Sequence, residues 1–395
     1  MKESIQKLFF IISKVSLGIF SRLFPRNDNV WLFGTSGKNV FWESPKYFFL
    51  YVSNEKSDSD VRPVWISKSR EMVKELRSNG YEAFYYRSLK GIWLSLRGGY
   101  SFYSHNIEDI NYGLPVGSRK VDFFHGAPLK RFGWDNSNEI GGNGLLTIAK
   151  SLYQVLYYRF DIGISSSSYL ENIFESATAV QRGRFESTGF PRNDIFYRGI
   201  EGWEIGSDVG AVERMRSSDK RMVMYLPTWR SYNEYSFEDV MELERMNSWA
   251  ESNDSILVFK LHPSSDIDEE AVKEFDNLWL MQQSVDLQPL LKEADVLISD
   301  YSSVHNDFLL LDRPILFYPF DLERYRENRG FVRDYENFTP GPKAFDFDGL
   351  LEKLDEVVEN DAYGDDRKEI RDKCFDDEDG GSCERVWEMI RKDMS

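Results

Sequence analysis

Short apolar runs alternate with segments of helical periodicity from about residue 27 onward. The apolar runs indicate buried strands, and strands separated by helices of roughly 10–15 residues predict parallel sheets. A first series of strands is predicted at Val30–Gly34, Val61–Ser67, Glu82–Arg87, Tyr100–His105, Lys120–His125 and Phe160–Ser165. A second series is predicted at Arg221–Pro227, Ser255–Leu261, Trp279–Gln282, Val296–Ser299 and Pro314–Tyr318. Helices are predicted between them, among others at Ser69–Ser78, Leu89–Leu96, Phe237–Glu251, Glu269–Phe275 and Val304–Leu311.

Two such series predict an α/β protein with two Rossmann-like domains. The 395 residues also exceed one ordinary hydrophobic core. Glycines recur between Asp194 and Lys220, which places the linker there. We therefore expect an N-terminal segment at 1–26, Rossmann-like domains at 27–200 and 201–375, and a C-terminal helix at 376–395.

The first 26 residues differ from the rest in charge and pattern. Five basic residues against Glu3 give about +4, within a chain of net charge −17. On a helical wheel Lys7, Lys14, Gly18 and Ser21 share one face. The opposite face carries Leu8, Phe9, Ile12, Val15, Ile19, Phe20 and Leu23. This amphipathic helix is typical of in-plane membrane binding, with Lys and Arg meeting anionic headgroups. A helix packed on the protein itself and a true span are the alternatives.

The acidic composition excludes some partners. With net charge −17 and a pI near 4.9, nucleic acid is not expected to bind the body of the protein. Plain solubility and a high-salt cytoplasm both fit this charge. The two cysteines, Cys374 and Cys383, lack neighbouring histidines for a zinc site and do not form a disulfide framework, so a reducing cytosol is expected.

Open parallel sheets bind ligands beyond the C-terminal ends of their strands. One predicted strand stops at Asp300, and Ser302 and Ser303 then open a predicted helix. Hydroxyls and free amides at such a point suit a phosphate, although helix capping alone would also explain the two serines. Asp307 lies one turn further on and could accept from a ribose or other hydroxyl, or be an ordinary helix carboxylate.

The segment VDFFHGAPLKRFG puts His125 at the end of an apolar strand. Gly126 permits a tight turn there, and Pro128 prevents the strand from continuing. A histidine held on a stiff turn and titrating near neutral pH suits a general base. The alternative is a histidine that caps the following loop. His105 and His305 lack comparable context and are predicted to be structural.

The segment LVFKLHPSSD repeats this arrangement in the second series. Lys260 and His262 lie two residues apart and share one strand face, and Pro263 ends the strand. Both side chains donate hydrogen bonds when charged, which suits a pyrophosphate. A lysine paired with an acid and a solvated histidine remain the alternative.

Two further segments carry polar groups, one of them at a strand end. The segment MVMYLPTWR brings Pro227, Thr228, Trp229 and Arg230 to that strand end. In STGFPRND, Arg192 stands near the predicted domain junction and could pair bidentately with a phosphate, or form a salt bridge with Asp194. Neither Asp-x-Asp pair follows an apolar strand end, so no metal is expected to hold the donor.

Five motifs occur in order: FHGAPLK, TGFPRNDIF, YLPTWR, FKLHP and ISDYSSVHNDFLLLDRPILFYPFDLERYRENRGF. Over roughly residues 120–335 they resemble the CDP-glycerol glycerophosphotransferase family, the teichoic-acid primases and polymerases. The resemblance implies a GT-B-like fold whose two Rossmann-like domains face a cleft. It also implies transfer without a metal or cofactor, and peripheral attachment to the cytoplasmic face of the cell membrane.

The resemblance also implies residue roles. His125 would take the proton of the acceptor in the N-terminal domain, and His262 would be the second catalytic histidine. In the nucleotide-donor domain His262, Lys260, Ser302 and Ser303 would hold the donor pyrophosphate. The rest of the donor pocket would be lined by Gly126, Pro128, Arg192, Pro227, Thr228 and Asp307. Phe124 and Ala127 replace the Trp and Thr of the family's usual Trp-His-Gly-Thr-Pro, which removes one hydroxyl near the donor.

The predicted function is transfer of glycerol phosphate, or a related polyol phosphate, from a CDP-alcohol to a hydroxyl of a lipid-linked glycan or teichoic-acid-like polymer, with release of CMP. Two alternatives stay open. One is a GT-B glycosyltransferase that uses a nucleotide sugar, and the other is a catalytically silent membrane-bound scaffold that binds glycans. The identity of the acceptor and the choice between glycerol and ribitol are not determined by the sequence.

Overall fold

The computed structural model describes residues 2–37, 39–130, 145–177, 184–230, 237–261 and 269–395. The chain divides into two compact units. Unit 1 comprises Met1–His125, Phe132–Ser207 and Asp376–Ser395, and unit 2 comprises Gly126–Arg131 and Asp208–Phe375. The change from unit 1 to unit 2 at residues 207 and 208 falls inside the glycine-containing stretch that the sequence indicated as a linker.

Unit 1 is built on a seven-stranded parallel sheet in the order β3-β2-β1-β4-β5-β6-β7. Its strands are β1 (Asn27–Phe33), β2 (Arg62–Ser67), β3 (Ala83–Tyr85), β4 (Gly98–Tyr103), β5 (Arg119–Asp122), β6 (Ile162–Ser165) and β7 (Arg184–Ser187). The first six correspond to the predicted series. The sequence missed β7 because this edge strand, RFES, has no apolar run and is only partly buried.

The helices of unit 1 are α1 (Lys2–Ser21), α2 (Glu43–Glu55), α3 (Arg70–Ser78), α4 (Leu89–Arg97), α5 (Leu145–Tyr157), α6 (Ser168–Ala177) and α16 (Ser382–Met394). Helix α2 was not predicted. Its residues from Ser44 to Val52 are all buried, so it lacks the polar stripe that reveals a surface helix. The C-terminal helix α16 begins where the Asp194 carboxylate accepts the backbone N–H groups of Ser382 and Cys383, at 3.0 and 2.8 Å.

Unit 2 contains a five-stranded parallel sheet in the order β10-β9-β8-β11-β12. Its strands are β8 (Arg221–Leu226), β9 (Ser255–Phe259), β10 (Leu278–Leu280), β11 (Val296–Ser299) and β12 (Ile315–Phe317). Its helices are α7 (Val209–Arg216), α8 (Phe237–Val240), α9 (Leu243–Ser252), α10 (Glu269–Lys273), α11 (Gln288–Glu293), α12 (Val304–Leu309), α13 (Leu322–Asn328), α14 (Phe347–Glu359) and α15 (Gly364–Cys374). The helix predicted at 237–251 is interrupted at Met241 and Glu242.

Helix α1 packs on unit 1 with its polar face inward. Lys14 is buried and its Nζ lies 2.5 Å from Glu108 Oε1, and Ser21 is fully buried. The opposite face exposes Phe9, Ile12, Ile19 and Phe20, together with Leu23 just beyond the helix. The expectation that Lys14 meets lipid headgroups is therefore wrong, because its charge is used in an internal ion pair. Within the described residues, no helix has the length and apolar character needed to cross a bilayer.

Candidate active site

The chain turns sharply after β5. Asp122 Oδ1 accepts the backbone N–H of Phe124 at 2.8 Å, and both Phe124 (φ +52°) and Gly126 (φ +97°) have left-handed backbone conformations. A left-handed non-glycine residue is strained and persists only where its surroundings fix it. His125, between the two, is therefore held in a defined position at the end of a strand.

Arg192 braces this turn from within unit 1. The arginine is buried, and its Nη2 donates to the carbonyl oxygen of His125 at 2.9 Å. Asp194, the alternative partner, accepts the N–H groups at the start of α16. Binding of a phosphate by Arg192 stays a prediction.

Two side chains that the sequence did not single out lie against His125. Glu43 is the first residue of α2, and its Oε1 is 3.3 Å from His125 Nδ1. The ring of His105, just after β4, has its centroid 3.4 Å from that of His125. Asp109 Oδ2 is 3.6 Å from His105 Nδ1 and also accepts the backbone N–H of His105 at 2.9 Å. His105, expected from the sequence to be structural, therefore lies beside His125 in the candidate site.

These groups shift one another's pKa values. Burial by itself would raise the pKa of Glu43, but the positive charges of His125, His105 and Arg192 outweigh it and hold that pKa well below its usual range. Partial desolvation by the surrounding side chains and the nearby charge of His105 lower the pKa of His125, although one edge of its ring stays exposed. Burial alone would lower the pKa of His105 as well, but Asp109 and Glu43 outweigh it and raise that pKa. At neutral pH His125 is thus predominantly neutral, with a free lone pair.

Glu43, His105 and His125 each offer one ligand-type atom, and these atoms lie within 4.8 Å of one another. A carboxylate and two imidazoles form a set that could also hold a transition metal. A chelator therefore belongs among the controls of any experiment on this cluster.

In unit 2, Lys260 follows β9 directly. Its Nζ donates to the carbonyl oxygen of Gln283 at 2.9 Å. Burial lowers its pKa to about 8, against the opposing negative charge of Asp286. The ammonium group is thus charged at neutral pH and becomes neutral at mildly alkaline pH. The neighbouring prediction, His262, lies outside the described residues.

Asp300 connects two of the predicted donor segments. Its buried carboxylate accepts the backbone N–H of Thr228 at 2.9 Å and lies 2.9 Å from Arg230 Nη1. Arg230 also forms a bidentate pair with Asp321, at 2.7 and 2.8 Å. The loop of Pro227 and Thr228 is thereby fixed beside the end of β11. Within the described part of the chain, the buried hydroxyl of Thr228 has no hydrogen-bond partner.

The serines after β11 do not cap α12 in the usual way. Ser303 precedes the helix, and its side chain makes no capping hydrogen bond. Ser302 Oγ accepts only a long bond, 3.4 Å, from the backbone N–H of Val304. Both serines are half-buried. Because α12 has only six residues, its dipole contributes little, and the hydroxyls are the stronger reason to place an anion there.

The remaining predicted groups of unit 2 make internal bonds. Asp307 is buried, and its Oδ2 accepts from Gln288 Nε2 at 3.1 Å. The carbonyl of Ala127, between Gly126 and Pro128, accepts from Asn306 Nδ2 of α12 at 3.3 Å. His305 Nδ1 lies 2.7 Å from the carbonyl of Ser302, and burial lowers the pKa of His305 to about 3, as suits a neutral, structural histidine.

The sequence model of one family, described as CDP-glycerol:poly(glycerophosphate) glycerophosphotransferase, matches residues 17–392. The chain belongs to this family. This CDP-glycerol glycerophosphotransferase is 31% identical over 348 residues to the teichoic acid poly(glycerol phosphate) polymerase of Bacillus spizizenii. The match covers 85% of this chain and 84% of that protein. It is 27% identical over 409 residues to the teichoic acid glycerol-phosphate transferase of Staphylococcus aureus, covering 99% of this chain and all of that one.

The fold of this glycerophosphotransferase matches that of the wall teichoic acid polymerase TagF. The TM-score is 0.72 at 22% identity, and the match covers 100% of this chain and 98% of that one. The GT-B-like architecture with parallel sheets, expected from the sequence, is thereby confirmed. At this identity the likeness establishes the fold and leaves the residue roles to be tested.

Proposed function

We propose that the enzyme transfers glycerol phosphate from CDP-glycerol to a hydroxyl of a lipid-linked glycan or a growing teichoic-acid-like polymer, with release of CMP. Family membership supports the donor. The two relatives above, a polymerase and a transferase of glycerol phosphate in teichoic acid, support the acceptor class. A related CDP-polyol such as CDP-ribitol is the second donor to consider.

The reaction needs one proton acceptor and charge neutralisation. The acceptor's hydroxyl oxygen attacks the phosphorus that carries glycerol, and the bond between that phosphorus and the oxygen of CMP breaks. The hydroxyl proton passes to the free nitrogen of His125. The observation that carries this assignment is the state of His125, a histidine with a lowered pKa on a rigid turn.

We assign donor binding mainly to unit 2. The Lys260 ammonium and the hydroxyls of Thr228, Ser302 and Ser303 are the groups that would neutralise and bind the pyrophosphate. His262 remains a predicted donor ligand and second catalytic histidine. Positioning and electrostatic stabilisation of this kind supply most of the rate in phosphoryl-type transfer.

Donor screening tests the proposal. The purified protein is incubated with CDP-glycerol, CDP-ribitol, and common UDP- and GDP-sugars, together with a lipid-linked glycan acceptor, and the released nucleotide is measured. CMP release from CDP-glycerol is the expected result. Release of a nucleoside diphosphate from a nucleotide sugar would show a glycosyltransferase instead. Absence of turnover with every donor would support a glycan-binding scaffold.

We further propose that the enzyme works at the cytoplasmic face of the cell membrane as a peripheral protein. The support is the face of α1 that exposes Phe9 and Phe20, together with Leu23, whose exposed fractions are 75%, 50% and 77%. Large apolar side chains clustered on one helix face mark an interaction surface. A lipid-linked acceptor would be reached at that surface.

A further inference from the structure

We propose that Glu43 is a positioning residue for His125: its carboxylate accepts the Nδ1–H of His125, so that Nε2 carries the lone pair that receives the acceptor's proton. This inference rests on the function proposed above and deepens it. The two atoms concerned, Glu43 Oε1 and His125 Nδ1, are 3.3 Å apart. A histidine base needs one tautomer, and a carboxylate on one ring nitrogen selects it.

The backbone at Glu43 supports the assignment. Its φ is +60°, a left-handed conformation that is costly for a residue with a branched or long side chain. Such strain persists where the surroundings fix the residue, and it concentrates at functional sites. Here the strained residue starts α2, which is buried along nine consecutive positions from Ser44 to Val52, so the carboxylate is fixed by the core of unit 1.

The carboxylate has few competing bonds. Glu43 Oε2 is buried and, within the described part of the chain, has no hydrogen-bond partner. The side chain of Glu43 is 23% exposed, whereas that of His125 is 43% exposed. The carboxylate therefore lies on the inner side of the imidazole, and the imidazole keeps an accessible edge for a substrate.

The charges around the pair keep Glu43 ionised. In unit 1 the charged groups around His125 are Glu43 from α2, His105 and Asp109 after β4, Asp122 at the end of β5, and Arg192. Of these, the positive charges of His105 and Arg192 stabilise the carboxylate form of Glu43. An ionised carboxylate is the form that accepts the Nδ1–H.

The proton balance is simple. During transfer, Nε2 of His125 gains the hydroxyl proton of the acceptor and the ring becomes an imidazolium. Glu43 stays ionised, keeps the Nδ1–H, and stabilises the new positive charge. After CMP and product leave, Nε2 releases its proton to water. No proton is transferred to Glu43 at any step.

The test uses two variants of Glu43. Glu43→Gln keeps the shape and removes the charge. Glu43→Gly removes the side chain and suits the left-handed backbone, so its unfolding temperature should not fall. Both should lower kcat by up to about 10⁴-fold, the loss that follows neutralisation of the carboxylate behind a catalytic histidine, while the KM for CDP-glycerol is unchanged. Glu55→Gln, at the exposed end of the same helix, is the matched control and should leave kcat unchanged.

The pH profile distinguishes positioning from a merely structural role. The negative charge of Glu43 raises the pKa of His125, so Glu43→Gln should move the acidic limb of kcat/KM to lower pH. The positive charge of His105 lowers that pKa, so His105→Gln should move the same limb to higher pH. Opposite shifts from two neighbours are expected only if His125 is the titrating base.

Three outcomes would overturn the inference. One is a Glu43→Gln enzyme with the kcat and pH profile of the wild type. Another is a loss confined to the KM for CDP-glycerol. The third is activity that EDTA abolishes and zinc or manganese restores, because Glu43 would then be a metal ligand. Full activity of His125→Ala would likewise overturn the inference, because His125 would then not be the base. The proposed function fails instead if the wild-type enzyme releases no CMP from CDP-glycerol, so the two failures are distinguishable.

Discussion

Desolvation lowers the pKa of Lys260, which is largely enclosed, and that of His125, which keeps an exposed edge, but the consequences for a transferase are opposite. A lower pKa makes a histidine neutral, which is the form that accepts a proton. A lower pKa brings a lysine close to losing the charge that binds a phosphate. The proposed enzyme should therefore have an acidic limb set by one residue and a basic limb set by the other.

Replacing His125 with alanine removes the proposed base. We expect kcat to fall about 10²- to 10⁴-fold, the usual contribution of general acid–base catalysis. The KM for CDP-glycerol should change little, because the donor groups lie elsewhere in the chain. Steady-state CMP release measures both. Equal losses in donor affinity and rate would make His125 a binding residue and contradict its role as base.

The titration of Lys260 should set the basic limb of the pH profile of kcat/KM. Because its pKa is about 8, its charge is present below that pH and lost above it, so kcat/KM for CDP-glycerol should decline as the pH rises through about 8. Lys260→Arg should remove this decline, since arginine stays charged. Lys273→Arg is the control, because Lys273 is an exposed lysine of the same unit that pairs with Glu270. A basic limb unchanged in Lys260→Arg would assign it to another group.

The position of a site residue along the chain decides whether the sequence reveals it. His125, Lys260 and Ser302 each follow an apolar strand, and strand ends of a parallel sheet are where ligands bind. His105 follows a predicted strand in the same way, so neighbouring strand ends could have indicated its pairing with His125. Glu43 gave no such signal, because it begins a buried helix that no polar stripe reveals.

At the scale of elements, Arg230 joins three strand ends of unit 2. It follows β8, and its guanidinium pairs with Asp300 after β11 and with Asp321 after β12. The arginine side chain is 11% exposed and both carboxylates are fully buried. Removing one partner from such a network leaves the other charges without compensation, which is the costly case for buried ions.

Arg230→Ala should therefore destabilise unit 2 by about 3–5 kcal/mol. Arg230→Lys, which keeps a charge but not the bidentate geometry, should cost less. Urea unfolding of the purified variants measures both. Arg245 provides the control: its ion pair with Asp348 is largely exposed, and Arg245→Ala should change the free energy of unfolding by about 0.5 kcal/mol or less. If Arg230→Ala lowers the free energy of unfolding no more than Arg245→Ala does, solvent compensates the carboxylates of Asp300 and Asp321, and the prediction is wrong.

Element prediction succeeded where one face of a segment is apolar or a strand is fully buried. Strands β8, β9 and β11 have continuous buried runs, and all three were found. It failed for β7, whose residues are mainly polar, and for the single helix predicted over α8 and α9. Periodicity continues across such a break, so the pattern alone does not reveal it.

At the scale of the whole molecule, the N-terminal helix shows how a correct pattern can be given the wrong orientation. The wheel separates polar from apolar residues, and the sequence predicts that the basic side chains meet anionic lipid headgroups. In the structure the polar face packs on unit 1, where Lys14 pairs with Glu108 and Tyr157 Oη donates to the carbonyl of Lys14 at 2.8 Å. The apolar face is left outside, and this exposed surface is the basis for proposing membrane attachment.

The exposed face of α1 should therefore bind membranes through apolar contact more than through charge. Phe9→Glu and Phe20→Glu should each lower partitioning onto anionic vesicles about 10-fold or more, because burying a phenylalanine side chain is worth roughly 1.5–3 kcal/mol. Vesicle sedimentation measures the bound fraction. These point changes keep Lys14 and Ser21, which anchor the helix to unit 1, so folding should be preserved.

Phe345→Glu is the matched control for this surface, because Phe345 is an exposed phenylalanine of unit 2, 55% accessible. It should leave partitioning unchanged. None of the three changes should affect turnover of a soluble acceptor analogue. Turnover of a lipid-linked acceptor in vesicles should fall in Phe9→Glu and Phe20→Glu, in proportion to the loss of partitioning, and stay unchanged in Phe345→Glu. Unchanged partitioning in these two variants would assign the exposed face of α1 to another partner and leave the transferase reaction itself untouched.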